Sequence, residues 1–172
     1  MKVANFYLED EKVIEQVRKN FNQIYIKGNN DEEVSKLIRI LSPKTKEHLL
    51  DLGTGSGYVA FKIAKQYPAS YIDGLDVVES MCSRNRQQCQ KEGTSNLQFF
   101  CYEGDIFPFE DNTYDGLITR YALHHFPNLS LTCKEINRVL KKKSRIVICD
   151  CIPTLNDKEC FIDKWMKRFF QF

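Results

Sequence analysis

The chain has 172 residues, of which 42% are hydrophobic and 28% are charged, and its formal net charge is +2. This length and composition predict one globular domain over residues 1–172 with a single hydrophobic core. The near-neutral charge argues against nucleic acid as the main partner, and no apolar run approaches the roughly 18 residues that a membrane-spanning helix needs.

Two amphipathic helices are predicted ahead of the first strand. Residues 9–25 place apolar side chains on one face. A second apolar stripe begins after Asp31, which can cap the helix, and ends before Pro43. Residues 1–44 would then form either a lid over a binding site or a plain cover for the sheet, and the sequence favours neither.

A buried strand running into a glycine turn is predicted next. Residues 48–52 are a short apolar run, and residues 58–67 have the apolar spacing of a helix. Three glycines at alternate positions lie between them, namely Gly53, Gly55 and Gly57. Such a turn lets a ligand approach the backbone, and the free amides at the helix start favour polar or negative groups. Asp51 lies at the carboxyl end of the strand, where open α/β sheets bind ligands.

The second predicted strand, residues 71–76, also ends in an acidic residue. Asp76 follows the glycines by about 20 residues, the spacing at which a carboxylate can accept hydrogen bonds from ribose hydroxyls. Val77 and Met81 are placed at the start of the next helix, where they would pack against an adenine ring or only into the core.

A third strand is predicted at residues 97–102, and Asp105 follows its end. The Asp105 carboxylate could accept a hydrogen bond from an adenine amine, and the backbone amide of Ile106 could donate one to a ring nitrogen. The fourth strand is predicted at residues 114–121. The intervening segment contains Pro108 and is too short for a crossover helix, so we expect a loop or a single turn.

The last elements are a helix from Pro127 through Leu140, a turn at residues 141–144, a fifth strand at 145–151 and an aromatic-rich helix at 157–172. The three lysines of the turn could bind phosphate or a membrane surface, but a solvated turn is favoured. Strands that alternate with helices and have nearly continuous apolar runs predict an α/β fold, a doubly wound parallel sheet of order 3-2-1-4-5.

The seven cysteines are an odd number and form no Cys-x-x-Cys pair, which fits neither a zinc site nor a disulfide framework. Cys101 and Cys149 lie in apolar runs, where a free thiol packs as a small hydrophobe. The first residues lack the apolar core of a signal peptide. We therefore expect free thiols, no bound metal and a cytoplasmic location.

Four short motifs occur in an order and spacing typical of one enzyme family. They are Asp51-Leu52-Gly53-Thr54-Gly55-Ser56-Gly57, Gly74-Leu75-Asp76, Gly104-Asp105 with Phe107-Pro108-Phe109, and Ala122-Leu123-His124-His125-Phe126. On these residues the chain resembles the class I S-adenosylmethionine (SAM) dependent methyltransferases. Within that class it is similar to the type 11 domains of the group that includes the ubiquinone and menaquinone methyltransferases.

The resemblance implies a Rossmann-like core over residues 45–172 and a role for each motif in binding SAM. The methionine part would lie on the turn, the ribose on the second strand and the adenine after the third. The residues implied are Asp51, Gly53, Thr54, Gly55 and Gly57 for methionine, Asp76 for ribose, and Asp105 with Ile106 for adenine.

Two features depart from the family pattern. Where the family has a Pro-Gly-Gly turn before the fifth strand, this chain has Lys142-Lys143-Ser144. Lys143 or Ser144 must therefore take any left-handed position, at some cost in stability. The family sheet has seven strands, and the last two are missing from this chain. We expect either a fragment of a longer protein or a second chain that completes the sheet.

Methyl transfer from a sulfonium is an in-line displacement that depends on alignment more than on acid-base chemistry. A base helps only where the acceptor must lose a proton. His124 and His125 are the candidate bases, since neutral imidazole suits this role, although either could only pack or cap. Arg120, at the end of the fourth strand, would orient cofactor or substrate or only form an ion pair.

A small-molecule acceptor is predicted, because the chain has neither the Asn-Pro-Pro-Tyr motif of enzymes that methylate planar amino nitrogens nor the Pro-Cys of cytosine-C5 enzymes. Two alternatives stay open. One is a SAM-binding or partner-binding module without catalysis. The other is an NAD-dependent oxidoreductase, which Tyr58 disfavours because it takes the third glycine position of Gly-x-Gly-x-x-Gly. An uncovered fifth strand and the aromatic helix would also support self-association.

Overall fold

Residues 31–150 are the part of the chain that the computed structural model describes, and they form four α-helices and five strands. The predicted helices at 9–25 and 157–172 lie outside these residues. The helices are α1 (Asp31–Leu41), α2 (Tyr58–Gln66), α3 (Glu79–Glu92) and α4 (Leu129–Val139), with one 3-10 turn at Leu123–His125. The strands are β1 (His48–Leu52), β2 (Tyr71–Asp76), β3 (Leu97–Cys101), β4 (Tyr114–Arg120) and β5 (Leu140–Cys149).

The five strands form one sheet of order β3-β2-β1-β4-β5, and every neighbouring pair is parallel. The predicted order and direction are confirmed. In the register, Asp51 of β1 lies opposite Gly74 of β2 and Ile118 of β4, and Asp76 lies opposite Cys101 of β3. The carboxyl ends of these strands therefore meet at one edge of the sheet, where ligands bind in open α/β folds.

A hydrophobic core lies on each face of the sheet. Leu49 of β1 packs into the core that α1 and α2 cover, and its neighbour Leu50 packs into the core that α4 covers. Burying an aliphatic side chain of this size contributes about 1.5–3 kcal/mol. β1 is apolar on both faces because it is the central strand and both of its faces are covered.

The connection from β3 to β4 contains no helix, as the sequence predicts. β3 and β4 each end one residue earlier than predicted, at Cys101 and Arg120, which lies within the ordinary fraying of an element's end. Within residues 31–150, every helix is too short or too polar to cross a membrane.

The start of β5 is where the sequence-based prediction is wrong. The predicted turn at residues 141–144 is part of the strand, because buried Leu140 already pairs with Tyr114 of β4. The next pair is Gly116 with Arg145, so β5 bulges over the intervening residues. Lys143 has φ 65, which confirms that a residue other than glycine takes the left-handed position.

Candidate functional site

The glycine turn between β1 and α2 is fixed by backbone contacts. The amides of Gly53 and Thr54 both donate to the carbonyl of Leu75 in β2, at 2.8 and 3.1 Å. Gly53 has φ 70, and a Cβ there would lie 2.3 Å from the Cβ of Ala122. Only glycine satisfies this position, because a side chain would be strained and would collide with the segment after β4.

Asp76, at the end of β2, holds the same turn from its other side. One carboxylate oxygen accepts a hydrogen bond from the Gly55 amide at 2.7 Å, and the other accepts one from the Val78 amide at 3.0 Å. A carboxylate has about four acceptor positions. The half-buried Asp76 can therefore brace the turn and still accept hydrogen bonds from a ligand.

Asp51 lies beneath the turn and is only 2% exposed. Its carboxylate accepts a hydrogen bond from the Thr54 hydroxyl at 2.7 Å. Burial is the main cause that raises the pKa of Asp51, and the Asp76 carboxylate adds to it. Hydrogen bonds from Thr54 and the Ala60 amide and the charge of Arg120 act in the opposite direction, and the pKa that results is about 7. A cation at the turn would favour the ionised form of this carboxyl.

Arg120 ties the end of β4 to α1. Its Nε donates to Glu33 at 2.7 Å, and its guanidinium carbon lies 4.5 Å from the centre of the Tyr121 ring. The Tyr121 hydroxyl donates to the second oxygen of Glu33 at 3.1 Å. The predicted ion pair of Arg120 is thus present, and its role in orienting a cofactor or substrate stays a prediction.

His124 and His125 lie in the 3-10 turn that follows β4, and their ring centres are 3.9 Å apart. The Nδ1 of His124 lies 2.5 Å from the Asp150 carboxylate, which can only accept, so the neutral ring leaves Nε2 as its acceptor. Burial and the neighbouring His124 lower the pKa of His125. His125 is therefore neutral near pH 7.

An open pocket of about 450 Å³ lies between the ends of β2 and β3. Val77 is one of its lining residues and is 48% exposed, and it precedes α3, whereas the sequence-based prediction placed it in that helix. Met81 is half-buried in the first turn of α3. Asp105 and Ile106 follow β3 on an exposed loop, and Ile106 is 69% exposed.

Asn85 of α3 is a contact to the turn that sequence reasoning missed. Its side-chain amide donates to the carbonyl of Gly55 at 2.8 Å, and the residue is 1% exposed. A pattern in the sequence could have indicated it. Asn85 lies one helical turn from both Cys82 and Cys89, so it is the polar member of a buried stripe.

Neither a metal centre nor a disulfide is formed by residues 31–150. No group of histidine, cysteine and carboxylate side chains in this stretch could hold a metal ion. The cysteines here are free thiols, namely Cys82, Cys89, Cys101, Cys133 and Cys149.

A family model described as a methyltransferase domain matches residues 43–170 of the chain. An uncharacterized methyltransferase, YcgJ of Bacillus subtilis, is 29% identical over 119 residues, which are 69% of this chain and 46% of that protein. The ubiquinone/menaquinone biosynthesis C-methyltransferase UbiE of Bartonella tribocorum is 28% identical over 161 residues, 90% of this chain and 61% of that protein. The chain thus spans about half the length of the curated relatives it matches.

Solved structures show the same fold. The crystal structure of YcgJ from Bacillus subtilis matches with a TM-score of 0.66 and 26% identity, over 72% of this chain and 52% of that one. A putative methyltransferase from Bacillus halodurans matches with a TM-score of 0.64 and 29% identity, over 73% and 54% of the two chains.

Proposed function

This chain belongs to the methyltransferase domain family, and from that premise we propose that it transfers a methyl group from SAM to a small-molecule acceptor. The observation that carries the proposal is the hydrogen bond from the Gly55 amide to the Asp76 carboxylate. It joins the glycine turn to the acid at the end of β2, so a nucleoside bound on Asp76 would extend its 5′ substituent over the turn. Bound SAM supplies a methyl group activated by its sulfonium charge.

The residues around the turn fit the cofactor. We assign the methionine part to the turn formed by Gly53, Thr54, Gly55 and Gly57, with Asp51 beneath it. The ammonium and sulfonium of SAM are cations, and the raised pKa of Asp51 marks a buried carboxyl that a nearby cation would ionise. Asp51 would therefore compensate the charge of the cofactor.

The nucleoside is assigned to the ends of β2 and β3. Asp76 has acceptor positions left for the ribose hydroxyls, and Val77 lines the adjoining pocket. Val77 and Met81 would cover the faces of the adenine ring, whose edge would meet the Asp105 carboxylate and the Ile106 amide. The exposure of Val77 and Ile106 supports this assignment, because a bound adenine would remove both side chains from water.

The two histidines would act on methyl acceptors that must lose a proton during the transfer. His124 is the better candidate because Asp150 orients its ring and leaves Nε2 to accept the proton. His125 would line the acceptor side as a neutral ring. We expect His124→Gln to lower kcat, and His125→Gln to act mainly on KM for the acceptor.

The names of the relatives indicate which methyl acceptors should be tested first. Several are demethylmenaquinone methyltransferases, including the one from Thermotoga maritima. The experiment incubates the chain with methyl-labelled SAM and reduced naphthoquinols and phenols, with Asp76→Ala as the control for cofactor-dependent transfer. Label in a quinol or phenol, lost in Asp76→Ala, supports the proposal. Binding of SAM with no transfer to any acceptor, also in a longer version of the protein, would contradict it.

A SAM-binding module without catalysis is the second candidate. The observation that favours it is the length of the match, since the chain spans 46% and 61% of two curated relatives. Residues that contact the acceptor in those proteins could lie in the unmatched part. The labelled-SAM experiment separates the two candidates, because a binding module retains affinity without transfer.

We also propose a cytoplasmic location and self-association. The free thiols between residues 31 and 150 support a reducing compartment. β5 is at one edge of the described sheet, and Ile146 on this strand is 36% exposed. An edge strand with apolar side chains can pair with a second copy. Light scattering would test this, and a monomer at every concentration would contradict it.

A further inference from the structure

The loop between β3 and β4 carries the two residues assigned to the adenine edge, yet it has no helix to hold it. Asp105 and Ile106 are exposed, and the chain turns into the protein immediately afterwards. Phe107 is buried and packs edge-on against Tyr102, and Phe109 packs edge-on against Phe100. These rings fix the side chains of the loop but leave open what fixes its backbone.

An ion pair on α4 supplies the backbone contacts. Glu135 accepts a hydrogen bond from the Phe107 amide at 2.8 Å. Arg138 donates to the carbonyls of Phe107 and Phe109, at 3.0 and 2.7 Å. It also donates to the Asp111 carboxylate at 2.8 Å. The amide and the carbonyl of one residue are thus held by the two members of the pair.

Glu135 and Arg138 are also bound to each other. Arg138 contacts the two carboxylate oxygens of Glu135 through Nε at 2.9 Å and through Nη2 at 2.6 Å. The hydrogen bonds from Arg138 hold the pKa of the Glu135 carboxyl below its usual range, although the residue is buried. A bidentate pair has a fixed geometry, so it transmits the position of α4 to the loop.

We infer that the Glu135–Arg138 pair makes the site selective for adenine by positioning the Asp105–Ile106 segment. The inference rests on the proposed function. The Phe107 amide that Glu135 holds belongs to the same peptide group as the Ile106 carbonyl, so the pair fixes one end of Ile106 and restricts the directions in which the Ile106 amide can point. Hydrogen bonds weaken steeply as their angle opens. If the pair is broken, the Asp105–Ile106 segment still lies next to the site, but its carboxylate and amide no longer align with the adenine edge.

The inference predicts a loss of selectivity, which differs from a general loss of binding. S-inosylhomocysteine has a carbonyl in place of the adenine amine and a protonated ring nitrogen, so it reverses both contacts to Asp105 and Ile106. The wild-type chain should prefer S-adenosylhomocysteine on the order of 10- to 100-fold. Glu135→Gln should weaken the binding of S-adenosylhomocysteine about 10-fold and that of the inosine analogue much less, so that the preference for adenine becomes smaller.

The experiment measures both dissociation constants by calorimetry for the wild type, Glu135→Gln and Arg138→Lys. Arg138→Lys keeps the charge but loses the bidentate geometry, so it provides a milder variant if Glu135→Gln does not fold. Ile136→Val on the same helix is the matched control, because it removes a buried methylene without touching a hydrogen bond. It should lower the melting temperature and leave the preference for adenine unchanged.

Each outcome decides the inference. A smaller preference in Glu135→Gln or Arg138→Lys, with the control unchanged, supports it. An unchanged preference in every variant that folds overturns the inference alone and leaves the pair as a support of the fold. A wild-type chain that binds neither compound overturns the proposed function, and the inference with it.

Discussion

Replacing the buried carboxyl of Asp51 with an amide should stabilise the folded chain relative to the wild type, and this advantage should grow as the pH rises. Burial raises the pKa of Asp51 from 3.8 to about 7 in the folded chain. The unfolded chain releases this proton near its ordinary pKa. At pH values between these two pKa values, the folded state holds a proton that the unfolded state has lost, so the wild type loses stability as pH increases. Asp51→Asn has no such proton.

The magnitude follows from the width of this window. One pKa unit corresponds to about 1.4 kcal/mol. Between about pH 5 and about pH 8 the wild type should lose roughly 2–3 kcal/mol relative to Asp51→Asn. At pH values below the pKa of Asp51 in the unfolded chain, the carboxyl is protonated in both states. It then adds no pH dependence to the difference in stability between the two proteins. The amide oxygen can still accept the hydrogen bond from Thr54, so the local geometry is kept.

Urea denaturation at a series of pH values measures the effect. The quantity of interest is the free energy of unfolding of Asp51→Asn minus that of the wild type. All other titrating groups are common to the two proteins and largely cancel in this difference. A difference that rises with pH through the neutral range confirms the argument. A constant difference, or one that falls with pH, would refute the raised pKa.

Three further predictions follow from single contacts. Asp76→Ala should weaken the binding of S-adenosylhomocysteine by about 1–3 kcal/mol in calorimetry, because the ribose hydroxyls lose the carboxylate that accepts their hydrogen bonds; unchanged affinity would place the pocket elsewhere. Gly53→Ala should lower the free energy of unfolding by about 2 kcal/mol or more, since its Cβ would lie 2.3 Å from Ala122, and an unchanged urea midpoint would contradict this. Tyr114→Phe removes the hydroxyl 2.8 Å from the buried Asp73 carboxylate and should cost about 1–3 kcal/mol of stability without affecting cofactor affinity, and reduced affinity would refute this separation.

Local patterns in the sequence were sufficient for much of the fold. The apolar run before Gly53 and the acid at Asp76 place two strand ends, and the alternation of strands and helices indicates a parallel sheet. The left-handed position of Lys143 was expected from the family resemblance, because the chain has no glycine where the family has its Pro-Gly-Gly turn. Each of these predictions depends on residues that are close together in the chain.

The contacts that were not predicted join distant residues. Arg120 binds Glu33, which lies 87 positions earlier, and Glu135 holds the amide of Phe107, 28 positions earlier. A single sequence contains no signal for which carboxylate an arginine will meet. The start of β5 was misplaced for a related reason. Leu140 fits the apolar spacing of α4, and its pairing with Tyr114 makes it part of the strand.

Titration of the chain with S-adenosylhomocysteine tests the central claim most directly. Calorimetry under identical conditions should compare it with NAD, using the wild type and Asp76→Ala. We predict saturable binding of one S-adenosylhomocysteine per chain, weakened in Asp76→Ala, and no measurable binding of NAD. Binding of NAD without binding of S-adenosylhomocysteine, or affinity that does not depend on Asp76, would contradict the account.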